Sequence, residues 1–152
     1  MTVDGKVAKF ISGDLTKPAE TKSFVEQGLK HFGQIDILVN NAGIQHINAV
    51  EDFPEDMWEK VIALNLSSNF YTTKYALPQM KKRGWGRIIN IASVHGLVAS
   101  VNKSAYIAAK HGVVGFTRAI ALENAKTGVT CNAICPGFVL TPLIQKQIEI
   151  KA

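Results

Sequence analysis

Three short apolar runs constrain this chain more than anything else in it: Ile35-Asp-Ile-Leu-Val39, Gly86-Arg-Ile-Ile-Asn-Ile-Ala92 and Val129-Thr-Cys-Asn-Ala-Ile-Cys135. Runs of this length with apolar residues on both alternating faces read as strands buried on both sides, which is the habit of parallel sheets. The first two are each followed by a long stretch of helical periodicity, and alternation of this kind implies a doubly wound α/β sheet. The full reading is strand 7–13, helix about 18–32, strand 35–39, a long helix about 55–82, strand 86–92, helix about 103–125, strand 128–135, and a short helix from about 141. Pro18 and Pro54 mark two helix starts, where the missing amide does no harm. Acidic Glu55 and Asp56 suit the positive end of the second.

Composition excludes several classes. With 47% hydrophobic and 19% charged residues, the chain is neither disordered nor fibrous. The net charge of +5 is scattered, and its densest group, Lys81, Lys82, Arg83 and Arg87, falls where a helix should end and cations are favoured. No aromatic-interleaved basic stripe accompanies it, so no nucleic-acid partner is expected. Cys131 and Cys135 share one face of a strand and read as core packing, with no ligand set for a metal. Reduced thiols, no apolar signal region and no run of about 18 apolar residues lead to the expectation of a cytoplasmic protein without membrane contact.

The chemistry is concentrated in Ser104-Ala-Tyr106-Ile-Ala-Ala-Lys110. Tyr106 and Lys110 are four residues apart and project from one helix face. A phenol has a pKa of about 10, and an ammonium one turn away favours the phenolate, which makes the pair a proton-transfer device. Ser93 ends the strand-like run 86–92, placing a hydroxyl at the carboxyl edge of the sheet, where ligands bind in open α/β folds. Asn40-Asn-Ala-Gly43 follows the run 35–39, Asn65 is a polar residue in an apolar helical stretch, and Pro136-Gly137 closes the run 129–135 with Thr141 four residues on.

With these motifs in this order, the chain resembles the short-chain dehydrogenase/reductase family over nearly all of its length. The resemblance implies a partial Rossmann-like doubly wound parallel sheet and a hydride transfer with a nicotinamide cofactor, NAD. It implies Tyr106 as general acid/base, Lys110 as the group that lowers its pKa and binds the nicotinamide ribose, Ser93 as the residue orienting the substrate oxygen, and Asn65 as holder of a relay water. For the cofactor it implies Asn40, Asn41, Ala42 and Gly43 along the cleft, Asp14 and Leu15 at the adenine, and Pro136, Gly137 and Thr141 beside the nicotinamide. It also implies a homo-oligomer, with helices 55–82 and 103–125 at the interface of a tetramer.

Within the family the likeness narrows to the bacterial D-3-hydroxybutyrate dehydrogenase group. The residues carrying it are Gly43-Ile-Gln-His46, Ala92-Ser-Val-His-Gly-Leu-Val-Ala-Ser-Val-Asn-Lys103 and Thr141-Pro-Leu-Ile-Gln-Lys-Gln147. That likeness implies Gln45, His95, Lys103 and Gln147 as the substrate-carboxylate set, interconverting a 3-hydroxy acid and its 3-oxo acid. A small carboxylate needs several convergent donors, one of them cationic, to replace its water. Phe138 stands where that group leads one to expect tryptophan. The alternatives are a related 3-oxoacyl reductase and a non-enzymatic remnant.

The remnant reading has a specific basis. The family opens with a strand, a Thr-Gly-x-x-x-Gly-x-Gly turn, a helix and a second strand, and the glycines of this sequence include no such cluster. The chain reads as one incomplete Rossmann-type domain over 1–152, lacking the first two strands and the last. Strand 35–39 is then expected to expose an edge, strand 7–13 to have no neighbour, and cofactor binding by these residues alone to be weak.

Overall fold

The computed structural model describes residues 2–3 and 6–140, with side chains from Val7 onward. Thr141, Gln147 and the short helix expected from about 141 lie outside the described residues. The elements in chain order are β1 (Thr2–Val3), β2 (Lys6–Val7), α1 (Pro18–Phe32), β3 (Ile37–Asn40), α2 (Glu55–Ile62), α3 (Ser68–Arg83), β4 (Gly86–Ile91), α4 (Ser104–Glu123) and β5 (Val129–Ile134).

Helix ends follow local chemistry. Pro18 opens α1, and Gly33 closes it at φ 78°, its N–H returning to the Leu29 carbonyl. Pro54 precedes α2 as its N-cap rather than sitting inside it. The single helix expected over 55–82 is continuous to Arg83 but contains a π-helical turn at Ala63–Ser67. That extra residue in the turn is a local distortion of the kind that often re-aims a functional side chain, and it carries Asn65.

The sheet is parallel, in the order β3-β4-β5. β3 pairs on one side only, so its other edge is open among the described residues. The strand expected at 7–13 is not there. Lys6 and Val7 pair antiparallel with Val3 and Thr2, and residues 8–14 run without regular structure. The physical reason is the one the sheet order supplies: a parallel strand is held by ladder partners, and nothing in the sheet lies beside this segment.

Helices α1, α3 and α4 all pack on one face of the sheet. Val25, Ala76, Met80, Ile88, Val129 and Cys131 form the main core there. A second cluster, Ala92, Val113 and Val114, sits under the carboxyl ends of the strands. Between the two runs a buried polar ladder. Thr72 Oγ1 donates to Asn40 Oδ1 (2.7 Å), Asn40 Nδ2 to Asn90 Oδ1 (2.8 Å), and Asn90 Nδ2 to Thr117 Oγ1 (2.8 Å). Two strands and two helices are thereby tied together just below the site, by polar groups that find partners in the interior.

Candidate active site

The site begins where β4 ends. The parallel ladder outlasts the strand: Ala92 N–H donates to Ile134 O and Val94 N–H to Pro136 O, both at 2.8 Å. This continuation sets Pro136-Gly137 across from Ser93. A 3₁₀ turn at Val94–Gly96 follows, with His95 N–H donating to the Ser93 hydroxyl at 3.2 Å. Gly96 lets this turn rest on α4, because a Cβ there would lie 2.8 Å from the Lys110 carbonyl oxygen. The backbone contact brings Ser93 to the helix that carries Tyr106 and Lys110.

Ser93 and Tyr106 both line the cleft, and the Ser93 hydroxyl stands near enough to the phenol to act on its titration. Burial raises the Tyr106 pKa, and the Ser93 hydroxyl opposes the rise. Lys110, expected to lower it, is not among the groups that shift it here. The Lys110 Nζ donates to the Ile91 carbonyl at 2.7 Å and stands 5.6 Å from the centre of the phenol ring. Lys110 is only 4% exposed, and burial pulls its pKa down to about 8, with Cys135 acting weakly the other way.

Asn65 is buried and points out of the π turn at the segment after β3. Its Oδ1 accepts from Ile44 N–H and its Nδ2 donates to Ile44 O, each at 2.8 Å. The amide therefore acts as a two-point clamp on the backbone beside Gly43. A Cβ at Gly43 would lie 3.2 Å from Asn65 Oδ1 and 3.9 Å from Lys110 Nζ. With both atoms of its amide engaged by Ile44, Asn65 has only the second Nδ2 hydrogen, the second Oδ1 lone pair and its backbone groups for the implied water.

A cleft of about 340 Å³ is lined by Ser93, Tyr106 and Lys110 together with Gln45, His95 and Lys103. The structure thus brings three of the four implied carboxylate ligands to three of the four implied catalytic groups; Asn65 does not line this cleft, and Gln147 is outside the described residues. Lys103 is buried although charged. The His95 ring meets Tyr106 edge-on, centres 6.1 Å apart. Its pKa is lowered by burial first and by the Lys103 ammonium second. Phe138 borders the same cleft and is otherwise exposed.

The implied cofactor residues divide. Asn41, Gly43, Pro136 and Gly137 line the main cleft. Leu15 and Ala42 line a smaller hollow of about 140 Å³, and Asn41 borders both hollows. Asn40 turns inward to the polar ladder instead of facing the main cleft. Asp14 borders neither hollow. Its carboxylate accepts the Thr16 N–H (3.0 Å) and hydroxyl (2.7 Å), which hold its pKa below the usual carboxylate range.

Two loop residues were not singled out in the sequence. Asn102 adopts φ 61°, and its carbonyl accepts the Asn48 N–H at 2.9 Å, latching the loop that precedes Lys103. Asparagine tolerates this left-handed conformation better than most residues, a signal readable just ahead of a helix start. Ser100, whose Oγ lies 2.9 Å from His95 Nε2, carries no such mark.

Among the described residues no group of His, Cys, Asp and Glu is arranged to hold a metal ion, and no helix is long and apolar enough to cross a membrane.

Comparison with known proteins agrees with this geometry. The family model described as short chain dehydrogenase matches residues 2–151. The chain is 63% identical over 139 residues to a D-beta-hydroxybutyrate dehydrogenase of Cupriavidus necator, covering 91% of this chain and 54% of that protein. It is 56% identical over 158 residues to a D-beta-hydroxybutyrate dehydrogenase of Rhizobium meliloti, covering 99% and 61%. An uncharacterized oxidoreductase of Bacillus subtilis is 50% identical over 146 residues, covering 96% and 57%. The chain spans little more than half the length of these curated relatives. With a family model matched over nearly its whole length, the chain belongs to the short-chain dehydrogenase family.

Proposed function

We propose that the protein interconverts (R)-3-hydroxybutyrate and acetoacetate with NAD. The observation that carries this reading is one cleft lined both by Ser93, Tyr106 and Lys110 and by a buried cation, Lys103, beside His95 and Gln45. The relatives named D-beta-hydroxybutyrate dehydrogenase support the substrate.

The residues present fit the nicotinamide end of such a cofactor. Lys110 uses one N–H on the Ile91 carbonyl, and an ammonium has three, so two remain for ribose hydroxyls. Gly43 keeps the space beside it open. When bound, the nicotinamide supplies the acceptor for the hydride from C3. The chain's own residues handle the rest. Lys103, His95 and Gln45 bind the carboxylate, and Ser93 holds the C3 oxygen. Tyr106 as phenolate takes the hydroxyl proton, and as phenol returns it in reduction. Lys110, charged beside it, favours the phenolate once ligands exclude water.

We further read the protein as cytoplasmic and homo-oligomeric. An apolar hollow of about 580 Å³ between α3 and α4, lined by Phe70, Leu77, Pro78, Phe116 and Ile120, suits a helix-packed interface. For these 152 residues alone we expect weak cofactor binding, since the sequence holds no Gly-rich turn to cradle a pyrophosphate. The test is reduction of acetoacetate, followed by NADH absorbance in the protein at full family length. Tyr106→Phe should lower turnover about 10²–10⁴-fold with the fold retained. Lys103→Ala should raise KM for the hydroxy acid far more than for an uncharged ketone. Equal effects on both substrates would overturn the carboxylate assignment.

A further inference from the structure

The loop from Val94 to Lys103 carries two of the cleft's polar groups, His95 near its start and Lys103 at its end. Its middle folds back on its beginning, so that Ser100 Oγ lies 2.9 Å from His95 Nε2. Ser100 is in the exposed part of the loop, while His95 lines the cleft. The contact occupies Nε2 and leaves Nδ1 as the ring nitrogen that can serve the cleft.

A neutral imidazole offers one N–H and one lone pair, and which nitrogen holds the proton is set by the partner of the other. A serine hydroxyl can serve either way, so the distance alone leaves the proton unassigned. The surroundings decide it. If Nε2 held the proton, Nδ1 would present a lone pair, which repels an anion. If the Ser100 hydroxyl donates to Nε2, Nδ1 carries an N–H and can bond a carboxylate oxygen. The Lys103 ammonium disfavours a second positive charge on the ring, so the doubly protonated form does not remove the choice.

We propose that Ser100 is a positioning residue that holds His95 as the Nδ1–H tautomer, so that the ring offers the cleft a donor for a substrate carboxylate. Both the choice of tautomer and the role of the donor rest on the carboxylate reading of the cleft, and the two tests below separate them. The Asn102 turn and its latch to Asn48 hold the loop in the shape that lets Ser100 reach back.

The first test reads the ring directly. Long-range proton–nitrogen correlation on histidine-labelled protein, at a pH well above the ordinary imidazole range, should show His95 protonated at Nδ1. Ser100→Ala should shift it toward Nε2–H, and Ser100→Thr, which keeps the hydroxyl, should restore the parent pattern. A parent ring protonated at Nε2, or a tautomer unmoved by Ser100→Ala, overturns the proposal whatever the enzyme turns over. The second test is kinetic. Losing one neutral hydrogen bond should raise KM for 3-hydroxybutyrate about three- to tenfold in Ser100→Ala, with kcat within about twofold and rescue by Ser100→Thr. Lys103→Ala is run beside it. If Lys103→Ala raises that KM and Ser100→Ala does not, the role of Ser100 is overturned. If neither raises it, the carboxylate reading fails instead.

Discussion

The two faces of the sheet are built from the same kinds of residue and meet opposite fates. On β4, Ile88 and Asn90 point to the helices and are 0% exposed. On the other face, Ile37 and Val39 of β3 are 55% and 54% exposed, and Ile134 of β5 is 50% exposed. The paired register shows that these belong to one surface, since Ile37 lies beside Arg87, Val39 beside Ile89, and Ile91 beside Ile134. A sheet apolar on both faces is composed for burial on both, yet α1, α3 and α4 cover one. The site belongs to the covered side. Ser93 follows directly from β4, Tyr106 and Lys110 stand on a helix of that side, and the polar ladder locks the strands to α3 and α4 beneath them.

The sharpest way to break this comparison is to cut into the covered face. Ile88→Ala removes buried volume from the centre of the core and should cost about 2–5 kcal/mol. Asn90→Leu should cost about 1–3 kcal/mol, because it leaves the buried Asn40 Nδ2 without its acceptor, while the Thr117 hydroxyl keeps its bond to the Val113 carbonyl. Urea unfolding of the two variants against the parent measures both. A cost under about 0.5 kcal/mol for either would mean that the helices do not close this face.

Next in size is a pH effect confined to the covered side. The pKa of Lys110 falls from an ordinary 10.5 to about 8 in the fold. Between those values the unfolded chain binds the proton and the folded chain releases it, so stability rises with pH through this window. The gain is about 3 kcal/mol at most, at 1.36 kcal/mol per pKa unit. Cys131 works the other way, because its thiol is pushed from 9.0 to about 11; its contribution is present below the lower value and lost as pH rises through the upper. Subtracting Lys110→Met from the parent cancels Cys131. The stability of the parent relative to Lys110→Met should therefore climb between pH 8 and 10.5. A flat difference would show that the Lys110 ammonium is better solvated than its burial implies.

Much of this asymmetry was legible in the sequence, and the reason differs by element. The runs at 35–39, 86–92 and 129–135 gave three strands because their apolar periodicity is unbroken, and the open edge of β3 followed from strand order. Residues 7–13 misled because propensity reads a segment in isolation, whereas a strand exists only with a ladder partner. The π turn at Ala63–Ser67 was illegible, since one extra residue leaves helical periodicity almost unchanged; its trace was Asn65 itself, a polar residue in an apolar stretch. At the site, Ser93, Tyr106 and Lys110 announced themselves by spacing and resemblance. Nothing in Asn40-Asn-Ala-Gly43 says that the Asn40 amide would be tied into the interior while the residue borders only the smaller hollow, a choice made by Asn90 and Thr72 from other elements. Ser100 could not be found at all, because its partner is set by how the loop folds back.

The smallest expected effect comes from the open face, and it sharpens the comparison most. Ile37→Thr and Val39→Thr keep β-branched shape and strand propensity while reducing apolar surface. Both side chains are more than half exposed, so each substitution should change the unfolding free energy of the chain by less than about 0.5 kcal/mol. Self-association should respond differently. An apolar face next to an open strand edge is a template for pairing with another chain, and polar replacements weaken that template without touching the core. Light scattering against concentration should show the double variant associating less than the parent, while Ile88→Ala, which leaves this surface intact, should not reduce association. If Ile37→Thr and Val39→Thr instead cost as much stability as Ile88→Ala, then something packs on this face in solution, and the contrast between the two sides would have to be given up.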